Sequence, residues 1–313
     1  MNRIPDLREK ILLPNEIKQA AQDSKLVLFI GAGISRLVGL PSWGELAEKT
    51  LKGLCEKGYL NYAETDQLKH LDPKQIFSIA ELVDKKGFKK EIATHLKKPE
   101  SEGIYKIINK IGCVCVTTNY DELLTPSHSS TTDGSEPLGE SSRVENPEEI
   151  SIHHLNEPGT IIHLHGYKDK PDTMVVTTED YLNHYNLENI QKFLEFLFRE
   201  KIVVFLGYGL KEMEILEYIL RQRNTKNVDK SKYLSTPMHF NVQGFFSNQK
   251  SLYEHLYRYY EKTFKVKTLG FIRDYEDHKA IEYVIKNWAN QIDIPPASLH
   301  RDIEFMKEVL SNA

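Results

Sequence analysis

The feature that most constrains this chain is a motif used twice. Leu26-Val27-Leu28-Phe29-Ile30 is an unbroken apolar run that passes into Gly31-Ala32-Gly33-Ile34-Ser35, and far downstream Lys201-Ile202-Val203-Val204-Phe205-Leu206 passes into Gly207-Tyr208-Gly209-Leu210. Short continuous apolar runs suit parallel strands covered on both faces, so each motif predicts a buried strand, a glycine turn and a helix. Glycine allows a sharp turn and a close approach of backbone to a ligand. A helix begun near Ser35 aims its N–H groups and positive dipole end at a pyrophosphate. The usual dinucleotide fingerprint is not met, because Arg36 stands where a third glycine belongs and the next glycine is Gly39. A plain strand–turn–helix is the alternative for either copy alone; two copies in one chain favour a nucleotide site in an α/β fold with a mostly parallel sheet.

Composition narrows the setting. The 313 residues suffice for one large α/β domain or two smaller ones, and a formal charge of −4 offers no global reason to expect nucleic-acid binding. Cys55, Cys113 and Cys115 are too few for a disulfide framework or a four-cysteine zinc site. The segment Met1 to Lys10 is charged, and no apolar run reaches the ~20 residues of a membrane span, which predicts a cytoplasmic protein with no membrane partner.

Along the chain, Pro41 and Gly44 punctuate a loop in which Ser42 caps a helix and Trp43 sits at its entrance, as core anchor or ligand contact. Residues 59–110 read as successive short helices broken at Asp72-Pro73 and Lys98-Pro99, more helix than a crossover needs; they predict a helical insertion over the nucleotide site. The strand Cys113 to Val116, whose cysteines read as small buried hydrophobes, ends in Thr117-Thr118-Asn119-Tyr120-Asp121-Glu122. Ligands of parallel sheets bind at such carboxyl ends, and helix capping accounts for one of these polar residues, not for the set. Residues 126–158, rich in Ser, Thr, Gly, Pro and acids, predict a mobile polar loop. Thr160 to Gly166 reads as a strand carrying His163 and His165 on one face; His165, at its end, suits acid–base work, and His163 suits the core. With His153 and His154 the pair raises a metal reading, but nothing at ligand spacing completes the set, so no metal is predicted. Thr177 or Thr178 caps a further helix. A polar linker at 224–236, strands at 238–242 and 266–270, a helix whose Tyr253, Tyr257 and Tyr260 recur at helical spacing, and helices at 277–290 and 298–311 complete the reading.

The set Gly31-Ala32-Gly33-Ile34-Ser35, Gly39-Leu40-Pro41-Ser42-Trp43, Thr118-Asn119-Tyr120-Asp121, Leu164-His165-Gly166 and Gly207-Tyr208-Gly209, in this order, resembles the sirtuin superfamily. More narrowly it resembles the sirtuin-like NAD-hydrolysing domains of bacterial antiphage defence systems. The four-cysteine zinc module and the Asp-Phe-Arg segment of protein deacylases are lacking, Gly209 stands where serine is frequent, and Glu212 and Glu214 stand where that branch often has aspartates. The resemblance implies a Rossmann-like catalytic domain over 1–290, with 291–313 a C-terminal helix for packing or oligomerisation. It implies an NAD glycohydrolase, with NAD as substrate. Asn119 would hold the nicotinamide ribose and a water, Asp121 would accept from the carboxamide and His165 would act as base. Gly31, Ala32, Gly33 and Ser35 would hold the pyrophosphate; Trp43, Thr118, Gly207, Tyr208 and Gly209 complete the expected binding residues. It further implies a homo-oligomer or a separate activating partner such as a ring ATPase of the HerA type. An NAD or ADP-ribose sensor without turnover and an NAD-dependent protein deacylase are the alternatives.

Overall fold

In the computed structural model, which describes residues 4–8, 10–97, 99, 101–127, 142–210, 212–223, 237–275 and 277–295, the apolar runs become strands of one sheet. These are β1 (Leu26–Ile30), β2 (Val114–Thr117), β3 (Arg143–Val144), β4 (Ile161–His163), β5 (Ile202–Leu206), β6 (His239–Phe245) and β7 (Val266–Ile272), ordered β3-β4-β2-β1-β5-β6-β7 with every pairing parallel. The helices are α1 (Asn15–Gln22), α2 (Ala32–Leu37), α3 (Trp43–Glu56), α4 (Tyr62–Leu68), α5 (Pro73–Val83), α6 (Phe88–Thr94), α7 (Tyr105–Ile111), α8 (Thr178–Asn186), α9 (Glu188–Glu200), α10 (Met213–Arg223), α11 (Lys250–Phe264) and α12 (Ala280–Ala289).

Alternation along the central strands builds two cores. Val27, Phe29, Val203 and Phe205 point toward α8–α11, where Phe193, Leu197 and Ile219 meet them. Leu28, Ile30, Cys115 and Val204 point to the opposite face, against Ile17 of α1, Ile108 of α7 and Trp288 of α12. Cys113 and Cys115 are both buried there, as small hydrophobes. Tyr253, Tyr257 and Tyr260 are buried core residues of α11.

The Rossmann-like topology places the site. From the central β1 the chain goes to β2 beside it, then to β3 at the far edge and back to β4 between them, before β5 takes the other flank of β1. Connections leave β1 and β5 in opposite directions, so a crevice opens beyond their carboxyl ends. Both glycine turns stand at that crevice.

Helices α3, α5 and α6 form a separate layer whose core joins Leu51, Phe77 and Phe88 to Tyr120 and Val176 near the sheet's edge. Capping boxes start several helices: Ser42 with Glu45 at α3, Asp72 with Gln75 at α5 and Thr177 with Asp180 at α8. Not all of 59–110 belongs to this layer, because Tyr105, Ile108 and Ile111 of α7 sit in the main sheet core.

Two sequence expectations are corrected. The stretch 126–158 is not loop throughout: 142–158 contain β3 and two 3₁₀ turns, Pro147–Glu149 and Ile152–Asn156. Its polar composition hides three aliphatic residues, Val144, Ile150 and Leu155, that are buried with α9 in the sheet core, and Asn189 Nδ2 donates to the carbonyls of Pro147 (2.9 Å) and Ile150 (3.1 Å). Nor does the strand from Thr160 reach Gly166. β4 stops at His163, and Gly166 turns the chain at φ 83°, where an added Cβ would stand 2.2 Å from the Thr173 carbonyl oxygen. His163 and His165 therefore enter different surroundings. The linker 224–236 and the helix 298–311 lie outside the described residues.

Candidate nucleotide site

Two cavities meet at the crevice. The larger, about 570 Å³, has a floor made by the ends of four strands: Ala32 and Ser35 after β1, Thr118 to Asp121 after β2, His165 after β4 and Gly207 to Gly209 after β5. Trp43 and Lys74 close it from the helical layer. The smaller, about 270 Å³, shares Gly207, Tyr208 and Gly209 as a wall and adds Gly33, Asn241, Gln243 and Arg273. Every binding residue expected from the sequence lines one cavity or the other except Gly31.

The glycines are required for a reason the sequence does not disclose. A Cβ on Gly31 or on Gly33 would stand 2.7 Å from the Gly207 carbonyl oxygen, and one on Gly207, at φ 62°, would stand 2.5 Å from Ile34 N. The two turns pack on each other: Gly31 N–H donates to Leu206 O and Gly33 N–H to Gly207 O, both at 2.9 Å. Both amides are thereby committed, Gly31's to the end of β5 and Gly33's to the second turn, and α2, which follows, is a short helix of 6 residues. Ala32 and Ser35 remain at the cavity wall.

Behind the larger cavity lies a buried polar network. Ser35 Oγ donates to Asp121 Oδ2 (2.8 Å) and accepts from Asn119 Nδ2 (2.9 Å). Having spent its one proton, it accepts from Tyr105 OH at 2.7 Å. The second Asp121 oxygen accepts from Leu123 N at 3.2 Å. Burial raises the Asp121 carboxyl above its ordinary range, and the bonds from Ser35 and Leu123 pull it back. Thr117 ties the assembly to the sheet, donating to Ile30 O at 2.9 Å while accepting from Asn119 N at 3.0 Å. The sequence does not single out Tyr105: on a short helix it reads as a core residue, and only its hydroxyl, brought to Ser35 by packing, reveals another role.

His163 faces the same segment from beneath. Its Nδ1 is 3.0 Å from the Asn119 carbonyl oxygen, and burial holds its pKa down to about 4, so the neutral ring donates there and steadies the turn. It lines neither cavity. His165 does, although it is 1% exposed, packed among Tyr181, His184 and Tyr185. Burial drives its pKa well below the usual value, His184 and Lys74 pushing the same way; the neutral Nε2 stands 2.9 Å from Tyr185 OH. Tyr120 OH donates to Val175 O (2.7 Å) and Val175 N to His165 O (2.9 Å), so the β2 end and the His165 turn are held together.

Across the larger cavity Lys74 of α5 pairs with Glu214 at 2.8 Å and stands 3.7 Å over the Tyr181 ring. His153 and His154 lie against each other in a 3₁₀ turn, and among the described residues no group of three or more histidine, cysteine or carboxylate side chains could hold a metal. No helix among them is long and apolar enough to cross a membrane.

A parallel sheet with its cleft at the switch point, paired glycine turns and a polar set at strand ends define a Rossmann-like α/β protein with a candidate site at that cleft. Residues 114–267 match the family model described as SIR2-like domain; they run from β2 into β7 and include Asn119, Asp121, His165 and the second glycine turn. Over those residues the chain is similar to SIR2-like domains. It is also 27% identical over 207 residues to Defense-associated sirtuin 2 of Bacillus subtilis, an alignment that covers 64% of this chain and 19% of that protein.

Proposed function

We propose that this chain is an NAD glycohydrolase that cleaves NAD to nicotinamide and ADP-ribose and that it serves antiphage defence by depleting NAD. The observation that carries the reading is the division of the crevice. One glycine wall separates a cavity holding Asn119, Asp121 and His165 from a smaller one where Ile34, Val242 and Phe271 stand beside Asn241, Gln243 and Arg273, and a dinucleotide has two unlike ends to place. The nicotinamide riboside belongs in the larger, the adenosine in the smaller, with the pyrophosphate passing Gly207 to Gly209. The SIR2-like match and the similarity to a defence-associated sirtuin support the substrate and the setting.

The chemistry asks little covalent work of the protein. Nicotinamide leaves as a neutral molecule from an oxocarbenium-like ribose, so rate comes from holding the ribose, excluding bulk water and aligning one water. Asn119 and Asp121 sit rigidly in the Ser35–Tyr105 network, which sets their positions before substrate arrives. His165, neutral at pH 7, can accept a proton from a ribose hydroxyl. The relative is far longer than this chain, and control by self-assembly or by a separate partner, such as a ring ATPase of the HerA type, is part of this proposal.

Chromatography of purified protein incubated with NAD tests it. Nicotinamide and ADP-ribose should appear in equal amounts and be lost in Asn119→Ala and His165→Ala, both variants keeping the wild-type circular dichroism. Binding of NAD without either product would favour a sensor, and O-acetyl-ADP-ribose formed only with an acetyl-peptide would favour a deacylase.

A further inference from the structure

The network around Asn119 leaves one requirement of the proposed reaction unmet. A cationic ribose transition state calls for a carboxylate near the anomeric carbon and a base for the water. Both Asp121 oxygens are engaged, one by Ser35 and one by Leu123 N. Asn119 is uncharged, and His165 is enclosed by aromatic rings with its Nε2 turned to Tyr185. Glu212 stands at the start of α10, on the wall of the same cavity, and its side chain is 24% exposed. Its Oε2 is buried, without a hydrogen-bond partner, and 3.9 Å from His165 Nε2. A buried carboxylate oxygen with no partner costs stability, and such groups persist at sites where chemistry uses them.

Resting on the NAD-hydrolysis reading, we infer that Glu212 is a further catalytic residue: its carboxylate stabilises the cationic ribose and takes the proton of the attacking water. The C1′–N bond breaks with its electron pair going to nicotinamide, the water oxygen bonds to C1′, and the released proton passes through Glu212 to solvent. His165 is left to hold a ribose hydroxyl beside the carboxylate, its Nε2 3.9 Å from Glu212 Oε2. The surroundings tune the group. His165 faces it from the turn after β4, Lys74 from α5, Tyr181 and Tyr185 from α8, Tyr208 from the turn after β5 and Glu214 from its own helix. Burial outweighs the Lys74 charge and the Tyr208 hydroxyl and raises its pKa to about 7, where a carboxylate is most effective as a base near neutral pH.

The test is single-turnover nicotinamide release at saturating NAD, with NAD affinity by calorimetry, for wild type, Glu212→Gln and Glu212→Asp between pH 5.5 and 8.5. The wild-type rate should fall below about pH 7. Glu212→Gln, the same shape without the charge, should lose ~100-fold or more in rate and all of that pH dependence, while affinity changes by less than about threefold. Should the Gln variant fail to fold, Glu212→Asp, whose shorter side chain withdraws the carboxylate, should show the same loss of rate with affinity retained. Wild-type rates in the variants, or losses explained by weakened binding, would overturn the assignment and leave NAD hydrolysis standing. Bound NAD with no release even from wild type would overturn the hydrolase reading and this inference with it.

Discussion

Two helical glycines, one at the crevice and one on the surface, should respond to the same substitution with opposite signs. Gly33 lies in α2 with its missing Cβ aimed at the second glycine turn: an added methyl would meet Gly207 O at 2.7 Å and Gly207 Cα at 2.9 Å. Both are backbone atoms of a turn already locked by the Gly33 N–H to Gly207 O bond, so no flexible side chain can swing aside. Overpacking of this kind costs ~1–3 kcal/mol, of which a better helix propensity recovers at most ~1. Gly44 lies in the first turn of α3, exposed, with nothing within 4 Å of the same position. There alanine only restricts the unfolded chain and stabilises by ~0.4–1 kcal/mol. Gly33→Ala should therefore fall, and Gly44→Ala rise, about the wild-type midpoint in equilibrium urea denaturation, the two differing by about 2 kcal/mol. Equal shifts, or a neutral Gly33→Ala, would refute the view that the first glycine turn exists to receive the second.

Acid should weaken the fold. His163, His184 and His239 are each held to about 4 by burial, below the ~6.5 of the unfolded chain, so unfolding takes up protons between these values and stability falls as pH drops through that window. From pH 7.5 to 5.5 they lose together about 4 kcal/mol, and Glu212, raised to about 7, returns about 2 as it protonates in the folded state. A denaturation midpoint unchanged between these pH values would contradict the burial of the three rings. Tyr120→Phe removes the donor to the Val175 carbonyl, a buried 2.7 Å bond, and should cost ~1–2 kcal/mol in the same denaturation; because that bond holds the His165 turn, nicotinamide release should fall as well.

Much of this architecture is legible in the linear chain because its signals are local. An apolar run such as Leu26–Ile30 cannot stay in water and is too short for a helix of that position, so its strand needs no partner to be recognised. The boxes at Ser42, Asp72 and Thr177 start helices by bonds that span three residues. Asn119 and Asp121 follow the end of an apolar strand, where a parallel sheet presents its polar residues. What escaped depended on distance. The aliphatic trio Val144, Ile150 and Leu155 is diluted among polar neighbours and becomes a signal only when α9 covers it. The regular alternation assumed through His165 failed because Gly166 obeys the Thr173 backbone, a contact invisible to strand periodicity.

The sequence by itself determined a doubly covered parallel sheet, the polar residues at its carboxyl edge and the two glycine turns, since strand burial, capping and backbone freedom are properties of neighbouring residues. Only the tertiary structure decided that the turns face one another across the switch point, that Tyr105 anchors Ser35, and that Glu212 keeps an unpartnered oxygen beside His165. Those relations join residues separated by tens to hundreds of positions, and their energies are earned only after the sheet order β2-β1-β5 has brought the strand ends together.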